Sequence, residues 1–242
     1  MAPAAVDLYW LPLGAGGVSV RFNGRVFEAV AARVAHRKTC DLYHSALVVD
    51  LPGEGRFVIE QAPVPAARGA QRGVVIEGPV GARWAARARI FRYEVRRWRD
   101  GVIPDVEEAV ESPRRLSADP RVARRLLERV ADLPALVWGR DELHTGEMWN
   151  SNSVVSWLLC RSGIPAGSIA PPTGGRAPGW HAGVVAAERY PASRSLLRSA
   201  AVERSSAVSS NDSGASSGSR WVKTVEPGTA ARRSRSSCSI SE

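Results

Sequence analysis

The sequence is poor in the residues that build metal sites and disulfide frameworks. Among 242 residues there are only three cysteines and four histidines. Cys40, Cys160 and Cys238 are odd in number and lie far apart, so they show no metal-binding spacing and do not predict a disulfide scaffold. We therefore expect no bound metal and no cofactor.

Long apolar runs are also missing. No segment approaches the roughly 18 apolar residues that a membrane span needs. The N-terminus lacks the basic region and the apolar core of a signal peptide. A glycine cluster at residues 14–17 matches neither the dinucleotide-binding pattern nor the P-loop pattern. These absences predict a soluble, cytoplasmic protein without a membrane span, and they do not indicate a nucleotide site.

Charge is present in excess, with a formal net charge of +9 that comes almost entirely from arginine. Most arginines are interleaved with acidic residues, which favours a solvated surface. One dense basic segment also contains Tyr93 and Trp98, and such a mixture could stack on nucleic-acid bases. A strand with Arg92 and Glu94 facing solvent explains the segment more simply, so nucleic acid is the less favoured partner. The arginines of this segment are Arg87, Arg89, Arg92, Arg96, Arg97 and Arg99.

Hydrophobic periodicity predicts a mixed α+β domain over residues 1–190, with an antiparallel sheet packed against a few helices. Serine dominates from residue 191 and periodicity is lost, which predicts a disordered tail over residues 191–242. Residues 98–118 are predicted to be irregular, with a helical turn near residues 106–110. The predicted strands are 6–13, 18–22, 43–50, 56–61, 74–76, 89–95 and 181–187, and the predicted helices are 24–36, 120–130 and 150–161.

Two of the candidate catalytic residues lie on strands that are expected to pair. His44 begins a strongly apolar strand, where a side chain near the strand end can face a cleft or can be a partly buried, hydrogen-bonded histidine. Glu60 ends the next apolar run and could accept an imidazole N–H, which would fix the tautomer of the histidine. Glu60 could equally face water at a sheet edge. Gln61 is the alternate partner, because a shift of one residue reverses the face of a strand.

The candidate nucleophile lies in the polar cluster Asn150-Ser151-Asn152-Ser153, at the start of a predicted helix. Free N–H groups at a helix N-terminus stabilise a developing anion and can serve as an oxyanion hole. A serine hydroxyl ionises with difficulty, so Ser151 would need His44 as a base. All four residue types are also ordinary helix caps, and the spacing alone leaves both interpretations open.

The order of these segments resembles the circularly permuted papain-like fold of permuted NlpC-type amidases and peptidases and of lecithin–retinol acyltransferase-like proteins. In that group a histidine lies on a strand of the type His-x-Gly-Ile-Val, which is similar to Tyr43-His44-Ser45-Ala46-Leu47-Val48-Val49. A following strand often ends in a polar residue, as in Phe57-Val58-Ile59-Glu60-Gln61-Ala62. A later helix begins with an Asn-Cys motif, which is similar to Trp149-Asn150-Ser151-Asn152-Ser153-Val154-Val155-Ser156-Trp157.

The resemblance implies a permuted papain-like fold and, for an active protein, hydrolysis or transfer of an acyl group at an amide or ester. His44 would be the general base, Glu60 would orient it, and Ser151 would be acylated. The family's cysteine position is occupied here by Ser151. The alternative is therefore a catalytically inactive relative that acts as a ligand-binding or protein-binding module. A small molecule, a lipid or a peptide is the expected substrate or ligand.

Overall fold

The computed structural model describes residues 3–13, 33, 36, 38–64 and 73–190. Contacts divide the chain into a unit Met1–Ser195 and a unit Leu196–Glu242, and only the first contains described residues. The predicted strand at residues 18–22 and the tail at residues 191–242 lie outside the described ranges. The same holds for nearly all of the predicted helix at residues 24–36.

Six strands form one sheet in which every strand is antiparallel to its neighbours. The spatial order is β4-β5-β3-β2-β1-β6, so β4 and β6 are the edges. This architecture confirms the predicted antiparallel sheet. The strands are β1 (Ala5–Pro12), β2 (Tyr43–Leu51), β3 (Gly55–Pro63), β4 (Val74–Pro79), β5 (Arg92–Arg99) and β6 (Val110–Ser117).

Three helices that lie wholly within the described ranges cover one face of this sheet, and their apolar side chains share one core with the strands. They are α1 (Pro120–Arg129), α2 (Ser151–Arg161) and α3 (Trp180–Arg189). Because side chains alternate along a strand, every second strand residue, such as Leu8, Leu47 and Ile59, points toward the helices. The protein is therefore α+β, as predicted, and none of the described helices has the length and apolarity to cross a membrane.

The opposite face of the sheet carries a second, smaller apolar cluster. It consists of Tyr9, Leu11, Ala46, Val48, Val58 and Ile103. Ile103 belongs to the connection between β5 and β6, which crosses this face. We call this surface the second face of the sheet, to distinguish it from the helix-covered face.

The start of α1 confirms a prediction made from local sequence. The Asp119 side chain accepts a hydrogen bond of 2.8 Å from the backbone N–H of Arg121, and Pro120 occupies the first helical position. Proline fits there because its missing N–H would have no partner within the helix. The cap and the proline together account for a helix that begins at residue 120, as predicted.

Two stretches around β5 differ from the predictions. Residues Arg89–Phe91 form a 3₁₀ turn, and the strand begins only at Arg92. Residues Val110–Ser117, predicted to be irregular, form the edge strand β6. Pro113 lies within it, and an edge strand tolerates proline because one side of the backbone has no ladder to complete. A helical turn is confirmed at Val106–Glu108.

The last predicted strand, at residues 181–187, is wrong, because these residues belong to helix α3. A short apolar run cannot be assigned to helix or strand by periodicity alone. Packing decides the outcome here. The Ser156 hydroxyl donates to the Trp180 carbonyl at 2.8 Å, and a side chain at Gly183 would collide with the Ser153 carbonyl. The glycine therefore allows α3 to lie closely against α2.

Candidate active site

Helix α2 begins with a complete set of capping hydrogen bonds. The side-chain oxygen of Asn150 accepts from the backbone N–H of Asn152 at 2.9 Å and from that of Ser153 at 3.4 Å. The Ser153 hydroxyl in turn accepts from the Asn150 N–H at 3.1 Å. This reciprocal pair is a capping box. Asn150 and Ser153 are thus structural, as the capping interpretation predicts.

Ser151 occupies the first position of α2 and is 8% exposed. Its hydroxyl and its backbone N–H form no hydrogen bond within the described ranges, whereas the next two N–H groups are bound by Asn150. In the first turn of the helix, the backbone N–H and the hydroxyl of Ser151 are therefore both available to bind another group. These are the two groups that nucleophilic attack on a carbonyl requires at one place.

Asn152 attaches the start of α2 to strand β2. Its Nδ2 donates to the backbone oxygens of Tyr43 and Pro178, each at 2.9 Å. Its Oδ1 accepts from the Ser45 hydroxyl at 2.9 Å. Asn152 is only 2% exposed, so these bonds satisfy an amide that is buried. Asn152 therefore contacts both neighbours of His44 in the sequence.

A fork in the sheet makes room for this attachment. β3 pairs with β2 only from Leu47 to Leu51, although β3 continues along β5 as far as Pro63. On the side that β3 leaves open, the Tyr43 N–H donates to the Arg176 carbonyl at 2.8 Å, and the Tyr43 carbonyl accepts from Asn152. The N-terminus of α2 thus meets an edge of β2 that β3 leaves unpaired.

His44 lies on β2 between the two residues that Asn152 binds. It is opposite Leu11 in the register and alternates with Ala46, so its side chain belongs to the second face. Burial lowers the pKa of His44 to about 4, and the nearby Asp105 carboxylate opposes this shift only in part. The imidazole is therefore neutral near pH 7. Among the described residues it has no hydrogen-bond partner, and none joins it to Ser151 or Glu60.

Glu60 also belongs to the second face, because it alternates with Val58 along β3. Its Oε1 accepts from the Arg96 guanidinium at 2.7 Å, and Arg96 Nε donates to Glu94 Oε1 at 2.6 Å. Burial raises the pKa of Glu60, and the charge of Arg96 opposes that shift. Two carboxylates thus share one arginine in a buried cluster of Glu60, Glu94 and Arg96.

Gln61, the alternate partner of His44, points to the helix-covered face, since it is one residue from Glu60. It is 7% exposed, and neither its side-chain oxygen nor its nitrogen has a hydrogen-bond partner in the described part of the chain. The structure therefore separates the two alternatives. Glu60 shares a face with His44, and Gln61 does not.

Sequence reasoning missed the bonds by which Asn152 joins α2 to Ser45 and Tyr43, and it missed the Glu94–Arg96 pair. The expectation that Glu94 faces solvent is wrong, because this residue is 1% exposed. The alternation of β5 was identified correctly, but a sequence does not reveal that both faces of a central strand are covered. The spacing of Glu94 and Arg96, two residues apart and therefore on one face of the strand, was the sequence signal for this ion pair.

Three of the six arginines of the basic segment form internal bonds. Arg96 bridges two carboxylates, Arg97 donates to the Leu127 carbonyl at 3.0 Å, and Arg92 donates to the Ala86 carbonyl at 2.6 Å. Arg96 and Arg97 also point to opposite faces of the sheet. Arg92, Arg96 and Arg97 are therefore engaged within the protein.

The described residues contain no group of His, Cys, Asp or Glu side chains that could hold a metal ion. In comparisons with known proteins, the chain matches no family model, no curated protein and no solved structure.

Proposed function

We propose that the chain is an acyl hydrolase or acyltransferase of the permuted papain-like type, with Ser151 as nucleophile and His44 as general base. One observation carries the proposal. Asn152, the residue after Ser151, binds the residues on both sides of His44. This attachment supports a nucleophile at the N-terminus of α2 beside the strand that carries His44, at the fork in the sheet. Because the His44 side chain belongs to the second face and α2 covers the other face, the imidazole would reach Ser151 across the edge of β2 that β3 leaves unpaired.

The proposed reaction has two steps. The Ser151 oxygen bonds to the carbonyl carbon of an ester or amide, while an imidazole nitrogen of His44 takes up the hydroxyl proton. The oxyanion accepts a hydrogen bond from the Ser151 backbone N–H, which has no partner among the described residues. The bond to the leaving group then breaks, and His44 returns the proton to that group. Water or an acceptor alcohol or amine removes the acyl group from Ser151.

Glu60 is assigned the task of orienting His44, because the two side chains share the second face of the sheet. Its bond to Arg96 does not exclude this task, since a carboxylate can accept several hydrogen bonds. Arg96 would hold the Glu60 carboxylate in place while a second lone pair remains for an imidazole N–H. Glu60 is therefore a proposed positioning residue and does not itself react.

A serine-directed phosphonate probe tests the role of Ser151. The wild-type chain should be labelled on the peptide that contains Ser151, and labelling should disappear in Ser151→Ala. Ser168→Ala changes an exposed serine in a short 3₁₀ turn and should be labelled like the wild type. Labelling that persists in Ser151→Ala would remove the proposed nucleophile.

Ser151→Cys gives a second test, because it restores the residue type that the resemblance implies. A thiolate at a helix N-terminus is stabilised by the unpaired N–H groups. The variant should react with iodoacetamide faster than Cys160, whose pKa is raised by burial. Equal reactivity of the two thiols would contradict an activating environment at position 151.

The second candidate function is a catalytically inactive binding module on the same fold. It is favoured by the missing hydrogen bond between Ser151 and His44 among the described residues, and by a pKa near 4, which makes His44 a weak base. A folded chain that the phosphonate probe does not label would support this module over the enzyme.

A further inference from the structure

One surface of the protein carries large apolar side chains that point into solvent. Trp84 is 77% exposed, Ile90 is 78% exposed and Phe91 is 47% exposed. They belong to residues 80–91, which contain the 3₁₀ turns Trp84–Arg87 and Arg89–Phe91. We call this segment the Trp84 loop. Such high exposure means that little of the protein stands beside the Trp84 and Ile90 side chains, so they project outward from the surface.

The Trp84 loop is fixed to the rest of the domain at its base. The Val80 N–H donates to the Phe91 carbonyl at 2.8 Å, which closes the loop, and the Gly81 N–H donates to the Trp138 carbonyl at 2.9 Å. Trp138 in turn bridges to Trp149, directly before the cap of α2. Ordered backbone bonds thus present the apolar side chains outward, although burying them would be more favourable in water.

The charged residues within the Trp84 loop itself are all arginines. Residues 78–93 contain no aspartate or glutamate. Arg83 and Arg92 pair with Glu142 and Glu77. Arg87 and Arg89 have no ion pair within the described ranges. Arg87 is exposed, whereas Arg89 is half-buried with its Nε inside the protein, and neither has a neutralising carboxylate among the described residues.

We propose that the Trp84 loop binds the surface of an anionic lipid bilayer. Tryptophan, isoleucine and phenylalanine would enter the interfacial region, while Arg87 and Arg89 would contact lipid phosphates. Ile90, the most exposed of the three, has no π-face to stack on a base, which disfavours a nucleic acid. A projecting shape also suits a bilayer, because a protein partner would need a matching cavity.

The proposal is independent of the chemistry assigned to Ser151. Probe labelling needs no membrane, and membrane binding needs no reactive serine. Failure of either experiment therefore leaves the other interpretable.

Sedimentation of the full chain with vesicles tests the proposal. Vesicles of phosphatidylcholine with about one quarter phosphatidylserine should bind the protein about tenfold more tightly than phosphatidylcholine alone. Two double variants should each weaken binding by about tenfold. One is Trp84→Ser with Ile90→Ser, and the other is Arg87→Gln with Arg89→Gln. Val102→Ser, a matched control at a side chain that is 66% exposed elsewhere, should bind like the wild type. The double variant Arg56→Gln with Arg121→Gln is the matched control, because it removes two positive charges outside the Trp84 loop.

A spectroscopic readout identifies the loop directly. Brominated lipids should quench part of the tryptophan fluorescence, and Trp84→Phe should remove that quenched part while vesicle binding persists. Two results would overturn the proposal: vesicle binding that all loop variants retain, or loop variants that lose binding to a single-stranded oligonucleotide but not to vesicles. The second result would assign the loop to nucleic acid.

Discussion

Asn152 and Ser45 are joined by a buried hydrogen bond of 2.9 Å that connects the start of helix α2 to strand β2. The two residues are 107 positions apart in the chain. The same Asn152 side chain binds the Tyr43 carbonyl, so one amide fixes the helix N-terminus against the strand. This contact determines where Ser151 lies relative to the residues around His44.

We expect Asn152→Ala to lower the free energy of unfolding by about 3 kcal/mol, because it leaves the Tyr43 carbonyl and the Ser45 hydroxyl buried without this partner. Ser45→Ala removes only one of the bonds and should cost about 1 kcal/mol. Urea denaturation measures both values. Equal losses in the two variants would show that the Asn152 amide contributes no more than the single bond to Ser45.

Arg96 neutralises two buried carboxylates, with Glu94 and Glu60 side chains that are 2% and 12% exposed. Arg96→Met should lower the free energy of unfolding by about 3–5 kcal/mol near pH 7, because both carboxylates lose their cation. The loss should become smaller as the pH falls toward about 5, since buried carboxyls that have lost the Arg96 cation are more easily protonated in the folded state.

Glu94→Gln/Arg96→Met is the matched control, because it removes one charge of each sign. It should recover part of the stability that Arg96→Met loses near pH 7. Denaturation at several pH values measures the difference. A loss in Arg96→Met that does not vary with pH would contradict the charge argument and would indicate lost packing instead.

The half-buried imidazole of His44, with its lowered pKa, predicts an acid-sensitive fold. Its pKa is about 4 in the folded protein and 6.5 as its ordinary value. Because the pKa of His44 is lower in the folded protein, the stabilising contribution of the neutral imidazole is fully present above about pH 6.5. This contribution is lost as the pH falls toward 4, since the unfolded chain then binds a proton that the folded protein does not. The loss should reach about 3 kcal/mol.

The comparison of wild type with His44→Gln isolates this effect from other titrating groups. The difference in unfolding free energy between wild type and His44→Gln should be constant above about pH 7. At lower pH the wild type should lose stability relative to His44→Gln. The same pKa predicts that phosphonate labelling of Ser151 continues well below pH 6.5, because His44 stays unprotonated. A difference in unfolding free energy between wild type and His44→Gln that does not change with pH would contradict the low pKa of His44.

Gly183 permits the close contact between α2 and α3. Gly183→Ala would press a methyl group against the Ser153 carbonyl and the Ser156 hydroxyl, so we expect a loss of about 1–3 kcal/mol. Gly167→Ala is the matched control, because nothing lies within 4 Å of its added methyl group. Thermal unfolding of the two variants measures the contrast. A similar melting temperature for both would show that the helices can separate without cost.

The parts of the fold that local patterns determine were predictable. The Asp119 cap, the turn between β2 and β3 and the capped start of α2 depend on residues within a few positions of one another. The helix at Trp180–Arg189 was not predictable, because its identity depends on the fit between Gly183 and α2. The site was predictable only as separate residues. Its assembly depends on the bond between Asn152 and Ser45, for which spacing gives no signal.

The fork between β2 and β3 has a consequence for the order of folding. The β2–β3 hairpin joins near neighbours, whereas the contacts that fill the fork join Tyr43 and Ser45 to Asn152, across more than a hundred residues. Contacts between distant residues require the closure of a long loop and form slowly. We therefore expect Asn152→Ala to accelerate unfolding and leave the refolding rate nearly unchanged. The contact between the N-terminus of α2 and strand β2 would then be completed only after the sheet and its helices have assembled.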